Sequence, residues 1–403
     1  MKSRNRVLIA GAGIAGLATA IALRAAGFEV IVYERTDDAD TGGSALGLHP
    51  VAVRALRLLG LDAEVIAGGI EVQRWELLSW SGEHIGGWPQ TKVSEAFGAP
   101  SITVPRACLH EALRRALPDG VVRHGSAVAG FHETDAGVEV LLADGTREPG
   151  HLLVGADGLR SAVRRQMRGD TPPRSAHFTA WRAVSDERLE TPGIATARQV
   201  IGAGATFGWW PLPGGRTYWV ATLSDEQQET AGLLRRTGSH VHSSWDHARL
   251  ADSFRKAPMR AAELIEATTS AQVIRTPIFD RPPDAGWSTA RTLLIGDAAH
   301  PMVPTTGQGG GQALLDAVAV ADVLRSAQLG DPHDLAARLR NFEEQRFPVT
   351  SRVAQAAWHL GRLHHERDPD QVASRDRRFQ DTTEAEWLSR MGLPVPTAPP
   401  RSF

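Results

Sequence analysis

The sequence predicts an α/β protein: a Rossmann-type domain assembled from separated pieces, interleaved with a β-rich domain and followed by C-terminal helices. Three observations predict it. The chain opens on strand, Gly11-Ala12-Gly13-Ile14-Ala15-Gly16, helix, strand, Glu34. From Arg291 it returns to strand, glycine-rich loop, helix. Between them, residues 171–275 are rich in Trp, Thr and Arg and break into short alternating strands. At 403 residues, the chain exceeds the size at which one hydrophobic core keeps growing.

The first element reads as a buried strand over 6–10, followed by a helix over 14–26 that Gly27 ends, and a second strand over 29–34. The stretch 37–47 is rich in Asp, Gly and small residues and reads as a loop. Residues 50–59 and 106–116 read as amphipathic helices. Strands follow over 137–142 and 147–154, joined by the hairpin signal Asp144-Gly145. In the middle region, 207–212 and 217–223 pair around 213–216, and the earlier segment 71–89 has the same texture. The tail is helical to about Leu363 and ends in the Pro-rich stretch 394–400. The expected division is 1–70, 100–170 and 276–355 for the Rossmann-type domain, 71–99 and 171–275 for the β-rich domain, and 356–403 for the tail.

Composition excludes several classes. Hydrophobic residues at 42% and charged residues at 22% argue against overall disorder. A formal net charge of -2 offers no global field for nucleic acid. Cys108 is the only cysteine, so neither an intrachain disulfide nor a structural Cys-based zinc site can form, and a cytoplasmic location fits. Gly11 and Gly13 interrupt the apolar run after Lys2, Arg4 and Arg6, which argues against a signal peptide. No uncharged stretch reaches the ~18 residues that span a bilayer. The expected protein has no stable membrane anchor and acts on a small molecule as a monomer or homodimer.

The opening motif carries chemistry. Gly11 allows the tight turn, Gly13 lets backbone approach a pyrophosphate, and Gly16 lets helix and strand pack closely. Ile14 and Ala15 begin the helix, whose free N–H groups and dipole favour anions. Glu34, 18 residues after Gly16, is placed to accept from ribose hydroxyls, with Arg35 beside it. The motif alone does not separate NAD from FAD.

Two further motifs do. Gly155-Ala156-Asp157-Gly158-Leu159-Arg160-Ser161 follows a strand; Gly296-Asp297-Ala298-Ala299-His300-Pro301 follows another and leads through Pro304 to Gly307-Gln308-Gly309-Gly310-Gly311. With these three motifs, the sequence resembles the group A FAD-dependent aromatic monooxygenases, the para-hydroxybenzoate hydroxylase-like family, from residue 6 to about 355. The resemblance implies tightly but non-covalently bound FAD, with NAD(P)H as transient co-substrate and O2. It implies that Asp297 holds the ribityl chain, that Asp157 lies near the pyrophosphate, and that Arg106 reaches the flavin side of the nucleotide. Gly47 belongs to the segment near the mobile ring. Pro304, Gly307, Gln308, Gly309 and Gly310 flank the reacting flavin, where N–H groups stabilise charge on the reduced ring. The chain departs from the family at Leu315, where an acid is usual, and at Pro50-Val51, where Pro-Asn is common. His300 reads as a structural hydrogen-bonder.

The implied reaction runs through a flavin C4a-hydroperoxide that hydroxylates or epoxidises a small hydrophobic, aromatic or polyene, metabolite. A cavity that excludes water is then required, and the β-rich domain is its expected source. Trp181, Trp209, Trp210 and Trp219 are the candidate substrate contacts. Strand alternation forbids Trp209 and Trp210 from both lining it. Alternatives are a related halogenase, oxidase or reductase, or a non-catalytic flavin-binding protein. Trp209-Trp210-Pro211 does not reproduce the halogenase spacing Trp-x-Trp-x-Ile-Pro. No thioredoxin-like third domain is expected.

Overall fold

The computed structural model describes residues 5–37, 44–187, 193–237, 240–243, 246–383 and 385–386. A five-stranded parallel sheet organises the first domain, in the order Thr292–Leu294, Leu152–Gly155, Arg6–Ala10, Glu29–Tyr33, Val122–Arg123. Its strands are continuous apolar runs: Val7, Leu8, Ile9, Leu152, Leu153, Val154, Leu293 and Leu294 are all fully buried. That is the pattern of a sheet covered on both faces. Helix Ile14–Ala25 lies against helix Gly309–Leu324, so the two glycine motifs meet although about 300 residues separate them.

The close packing is written in glycines. A Cβ on Gly16 would lie 1.9 Å from the Gly11 carbonyl oxygen. One on Gly11, whose φ is +98°, would lie 2.6 Å from the Ala156 oxygen. Only glycine fits at either place.

Two expectations need correction here. The strand read over 147–154 is two: Arg147–Gly150 forms the hairpin with Val138–Leu142, and Leu152–Gly155 joins the parallel sheet. The break falls at His151, whose N–H donates to Arg6 O at 2.8 Å. The loop read over 37–47 ends earlier, because Ala45–Leu48 is a strand paired antiparallel with Ile102–Pro105. Gly42 and Gly43 lie outside the described residues.

The second layer is a seven-stranded sheet, in the order Ile274–Asp280, Arg174–Ser185, Arg216–Ser224, Ala205–Leu212, Thr196–Ile201, Arg74–Ser79, His84–Pro89. The early segment 74–89 therefore joins the middle region in one sheet, and the strand Ile274–Asp280 runs past residue 275. Side-chain parity divides its faces. Trp181, Ala183, Phe207, Trp209, Trp219 and Ala221 pack with Leu250, Phe254, Leu264 and Ile265 on one side. Phe178, Ala180, Arg182, Thr206, Gly208, Trp210, Tyr218, Val220 and Thr222 face the other way, toward the first domain.

The C-terminal part is a helix over Pro332–His364, capped by Asp331, then a second helix over Pro369–Gln380, capped by Asp368. The second helix falls within the expected C-terminal helices but lies past Leu363, where the helical reading stopped. Its Asp-Pro start is nonetheless a good signal, since the carboxylate accepts from the N–H groups of Asp370 and Gln371 and proline tolerates the first helical turn. The Pro-rich stretch 394–400 lies outside the described residues. Among the described residues, no helix is long and apolar enough to cross a membrane, and no His/Cys/Asp/Glu group could hold a metal ion.

Candidate active site

The opening turn leaves an anion cradle. Helix Ile14–Ala25 has Gly13 as its N-cap, with no side-chain cap and no acidic residue in the first turn. Its first N–H groups therefore keep their positive end open. Gly13 has an ordinary extended backbone, φ -73° and ψ -175°, and a Cβ placed there would meet nothing within 4 Å. The chain's own packing therefore sets no need of glycine at this position.

Glu34 stands at the end of the second strand. Its Oε2 accepts from Ala12 N at 2.8 Å, and its Oε1 accepts from the Thr36 N–H and hydroxyl, both at 3.0 Å. Burial pushes the carboxyl up, but these donors together outweigh it and hold the pKa below its ordinary value. An ionised carboxylate with spare lone pairs suits two ribose hydroxyls. Arg35 beside it is exposed and adds to the same lowering.

Asp157 uses one oxygen within the chain. Oδ2 accepts from Ala162 N at 2.7 Å and Val163 N at 3.3 Å at the start of helix Ala162–Arg168, where Ser161 is the N-cap. Oδ1 is buried and finds no hydrogen-bond partner among the described residues. Burial first of all raises this carboxyl above its ordinary value. The side chain thus caps a helix and keeps one acceptor in reserve.

The third motif is held by a network that sequence reasoning missed. Asp316, fully buried in helix Gly309–Leu324, accepts from Gly296 N at 2.9 Å and His300 Nε2 at 2.6 Å through Oδ2, and from Arg346 Nε at 2.7 Å through Oδ1. Arg346 Nη2 also donates to Gln312 Oε1 at 2.7 Å. Burial opposes ionisation of Asp316, but His300 and Arg346 prevail and its pKa falls to about 2. The available signal was Asp316, one residue beyond Leu315, on a different side of a largely apolar helix from its second aspartate, Asp322, which is exposed.

This network fixes the turn that presents Asp297. Asp297 opens onto a cavity yet is surrounded by protein, and that desolvation raises its pKa against the pull of His300 and Arg106. Arg106 sits within the influence of Arg182, Asp297 and Tyr218, and burial lowers its pKa. A Cβ on Gly296 would lie 2.9 Å from the Ala15 Cβ, and one on Gly310 would lie 3.8 Å from Ile14 Cδ1. The turn and both helix starts therefore converge on one place.

The cavity has a volume of about 390 Å3, within the range of ligand sites. One wall is Pro304, Gly307, Gly309 and Gly310, with Asp297; helix Gly309–Leu324 begins here without a side-chain cap. Gly47 and His49 line it as well, and His49 Nε2 contacts Thr306 O at 3.1 Å. The other wall is one face of the seven-stranded sheet, even-numbered on its strands Arg174–Ser185, Ala205–Leu212 and Arg216–Ser224, including Phe178, Arg182, Trp210, Tyr218 and Thr222.

Four expected residues are not on these walls. Trp181, Trp209 and Trp219 are buried in the core on the opposite face of the sheet, with Trp219 Nε1 donating to Thr268 Oγ1 at 3.0 Å. Parity is the reason, and of the four tryptophans only Trp210 lines the cavity. The Gln308 side chain is buried toward Gln312 at 3.5 Å, which leaves only its backbone for this site. Conversely, Arg182, beside Trp181, and Tyr218, beside Trp219, do line the cavity, as do His49 and His365, which carried no such expectation. Once the sheet register is known, even-numbered parity would have found the first two.

A family model described as FAD binding domain matches residues 4–357. The chain is 37% identical to the aurachin C monooxygenase/isomerase of Stigmatella aurantiaca, over 90% of this chain and 90% of that protein. It is 34% identical to a 3-amino-4-hydroxybenzoate 2-monooxygenase of Streptomyces platensis, over 93% and 92%. Its fold is similar to that of Klebsiella pneumoniae HpxO complexed with FAD and uric acid, with a TM-score of 0.84, 25% identity, and coverage of 96% and 95%.

Proposed function

The chain belongs to the FAD binding domain family and is an FAD-dependent monooxygenase, and from that premise we propose that it hydroxylates or epoxidises a small hydrophobic aromatic or polyene compound in the cavity between Pro304–Gly310 and the seven-stranded sheet. Bound FAD supplies two-electron reduction by NAD(P)H and the activation of O2. The chain's residues bind, orient and exclude water. Gly13, Ile14 and Ala15 receive the diphosphate at an open helix start, and Glu34, followed by Arg35, holds the adenosine ribose. Asp297 holds the ribityl chain with Arg106 near it, and Asp157 lies against the Gly11 turn, on the side of the diphosphate. Pro304, Gly307 and Gly309, with the backbone of Gln308, border the reacting ring. The uncapped start of helix Gly309–Leu324 stabilises negative charge there.

The carrying observation is the cavity itself. Its walls are the glycine turn on one side and Phe178, Ala180, Trp210, Tyr218 and Val220 on the other, an apolar slot suited to a planar guest. The pieces 1–70, 100–170 and 276–355 supply the flavin side, and 71–99 and 171–275, carried on to Asp280 by the strand Ile274–Asp280, supply the substrate side. We place the enzyme in the cytoplasm, as a monomer or homodimer without nucleic-acid partners.

The test is oxygen transfer. Purified holoprotein, NADH or NADPH and a panel of hydroxylated aromatics and polyenes are incubated under labelled O2. One labelled oxygen in a product supports the reading. Cofactor oxidation without label in any product across the panel removes it.

A further inference from the structure

Thr206 and Thr222 face each other across the antiparallel pair Ala205–Leu212 and Arg216–Ser224. Their hydroxyls lie 2.7 Å apart. Thr222 Oγ1 is 2.8 Å from His365 Nε2, and His365 Nδ1 is 2.8 Å from the Gly361 carbonyl oxygen. All three side chains line the cavity. His365 is stacked on Phe178 with ring centroids 4.0 Å apart.

The direction of this chain follows from valence. A carbonyl oxygen only accepts, so His365 carries a proton on Nδ1. Burial, with Arg375 adding to it against the Gly361 contact, lowers the ring's pKa to about 4, so it is neutral near pH 7. His364, the other titratable neighbour, is also lowered well below its ordinary value and adds no charge. A neutral ring with its proton on Nδ1 has only a lone pair on Nε2. Thr222 must donate to that lone pair. Its single proton is then spent, and Thr206 must donate to Thr222. The Thr206 oxygen keeps lone pairs and no free proton.

We propose that Thr206 is a specificity-determining residue that offers the substrate an acceptor only, with Thr222 and His365 as the positioning residues that set its polarity. The guest is then an aromatic compound bearing an O–H or N–H at the edge that meets Thr206. A carbonyl, ether or carboxylate at that edge is rejected, because two acceptors face each other in a buried place. The relay does not ionise the guest: a phenol near pKa ~10 and a histidine at about 4 differ by about six units, a millionfold disadvantage for proton transfer. This assignment rests on the cavity being the substrate site.

The test uses holoenzyme and two probes of similar shape, 2-naphthol and 2-methoxynaphthalene, titrated by the change in flavin absorbance. The expected preference for 2-naphthol is about 10-fold or more, the loss typical of an unmet buried acceptor. In Thr206→Val it falls to within about 3-fold. Thr222→Val loses it too, since Thr206 recovers a free proton, whereas Thr222→Ser retains it. Equal affinities in the native enzyme, no binding of 2-naphthol, or a preference that survives Thr206→Val overturns the assignment. The labelled-oxygen experiment reads separately: binding with this preference but no oxygen transfer removes the proposed activity and leaves Thr206 in its role.

Discussion

His300 donates from Nε2 to Asp316 Oδ2 at 2.6 Å, and the same carboxylate oxygen accepts from the backbone of Gly296 at 2.9 Å. One buried charge thus ties both ends of the turn that carries Asp297 to the helix beginning at Gly309. Arg346, from the long C-terminal helix, balances that charge at 2.7 Å. Three segments far apart in sequence share a single electrostatic contact, and the cavity wall is built on it.

Asp316→Ala is expected to leave His300 and Arg346 facing a void. Removing one partner of a buried ion pair costs about 3–5 kcal/mol, so thermal unfolding should shift down by several degrees with loss of retained flavin. The pH sign follows from the lowered pKa. The native carboxyl, at about 2, lies below an unfolded aspartate near ~3.9. Its stabilisation, about 2–3 kcal/mol, is fully present above about pH 4 and is lost as the pH falls through about 2. Denaturant melts of native and Asp316→Ala protein should therefore differ at neutral pH and converge in acid. An unchanged difference at the lowest pH contradicts this account.

Gly13 and Gly16 make opposite demands. At Gly13 a Cβ meets nothing within 4 Å, so Gly13→Val should fold, stay monodisperse and purify without flavin colour. At Gly16 the Cβ would lie 1.9 Å from a carbonyl oxygen, so Gly16→Val should fail to fold. Circular dichroism and flavin content measured on both separate the two roles. A yellow Gly13→Val with normal FAD stoichiometry would count against the diphosphate cradle.

Asp297→Ala is expected to keep the fold, because the carboxylate opens onto the cavity rather than into the core. Loss of a hydrogen bond to a charged group is worth about 1.5–3 kcal/mol, which is a weakening of FAD affinity by about 10- to 100-fold. Titration of apoprotein with FAD, followed by flavin fluorescence, measures it. Unaltered affinity means that Asp297 does not hold the ribityl chain.

Trp209 and Trp210 are neighbours in sequence and opposites in role. Trp209→Ala should empty a fully buried core position and cost about 3–5 kcal/mol of stability. Trp210→Ala, on the cavity wall, should cost less stability and raise KM for the substrate more than it changes kcat. Urea melts and steady-state kinetics on the pair check the assignment; equal effects on both quantities would refute the parity argument.

Local chemistry was enough to read the opening strand, glycine turn and helix. Gly11, Gly13 and Gly16 at fixed spacing, followed by Glu34, state a backbone requirement that any observer of the sequence can recognise, and Asp297 and Gly307–Gly311 repeat that kind of statement. The hairpin at Asp144-Gly145 and the alternation that separates Trp209 from Trp210 were legible for the same reason, since both depend on a few adjacent residues. Alternation says that two faces exist, and only the pairing of Ala205–Leu212 with Arg216–Ser224 and of Arg174–Ser185 beside them decides which face meets the first domain. That is why Trp181, Trp209 and Trp219 went to the core while Arg182 and Tyr218 came to the cavity. The contacts of Asp316 with His300 and Arg346, and of His365 with Thr222, join residues 16 to 143 positions apart. Such pairs leave no spacing rule in the chain, because their distance is fixed by how helices and sheets pack.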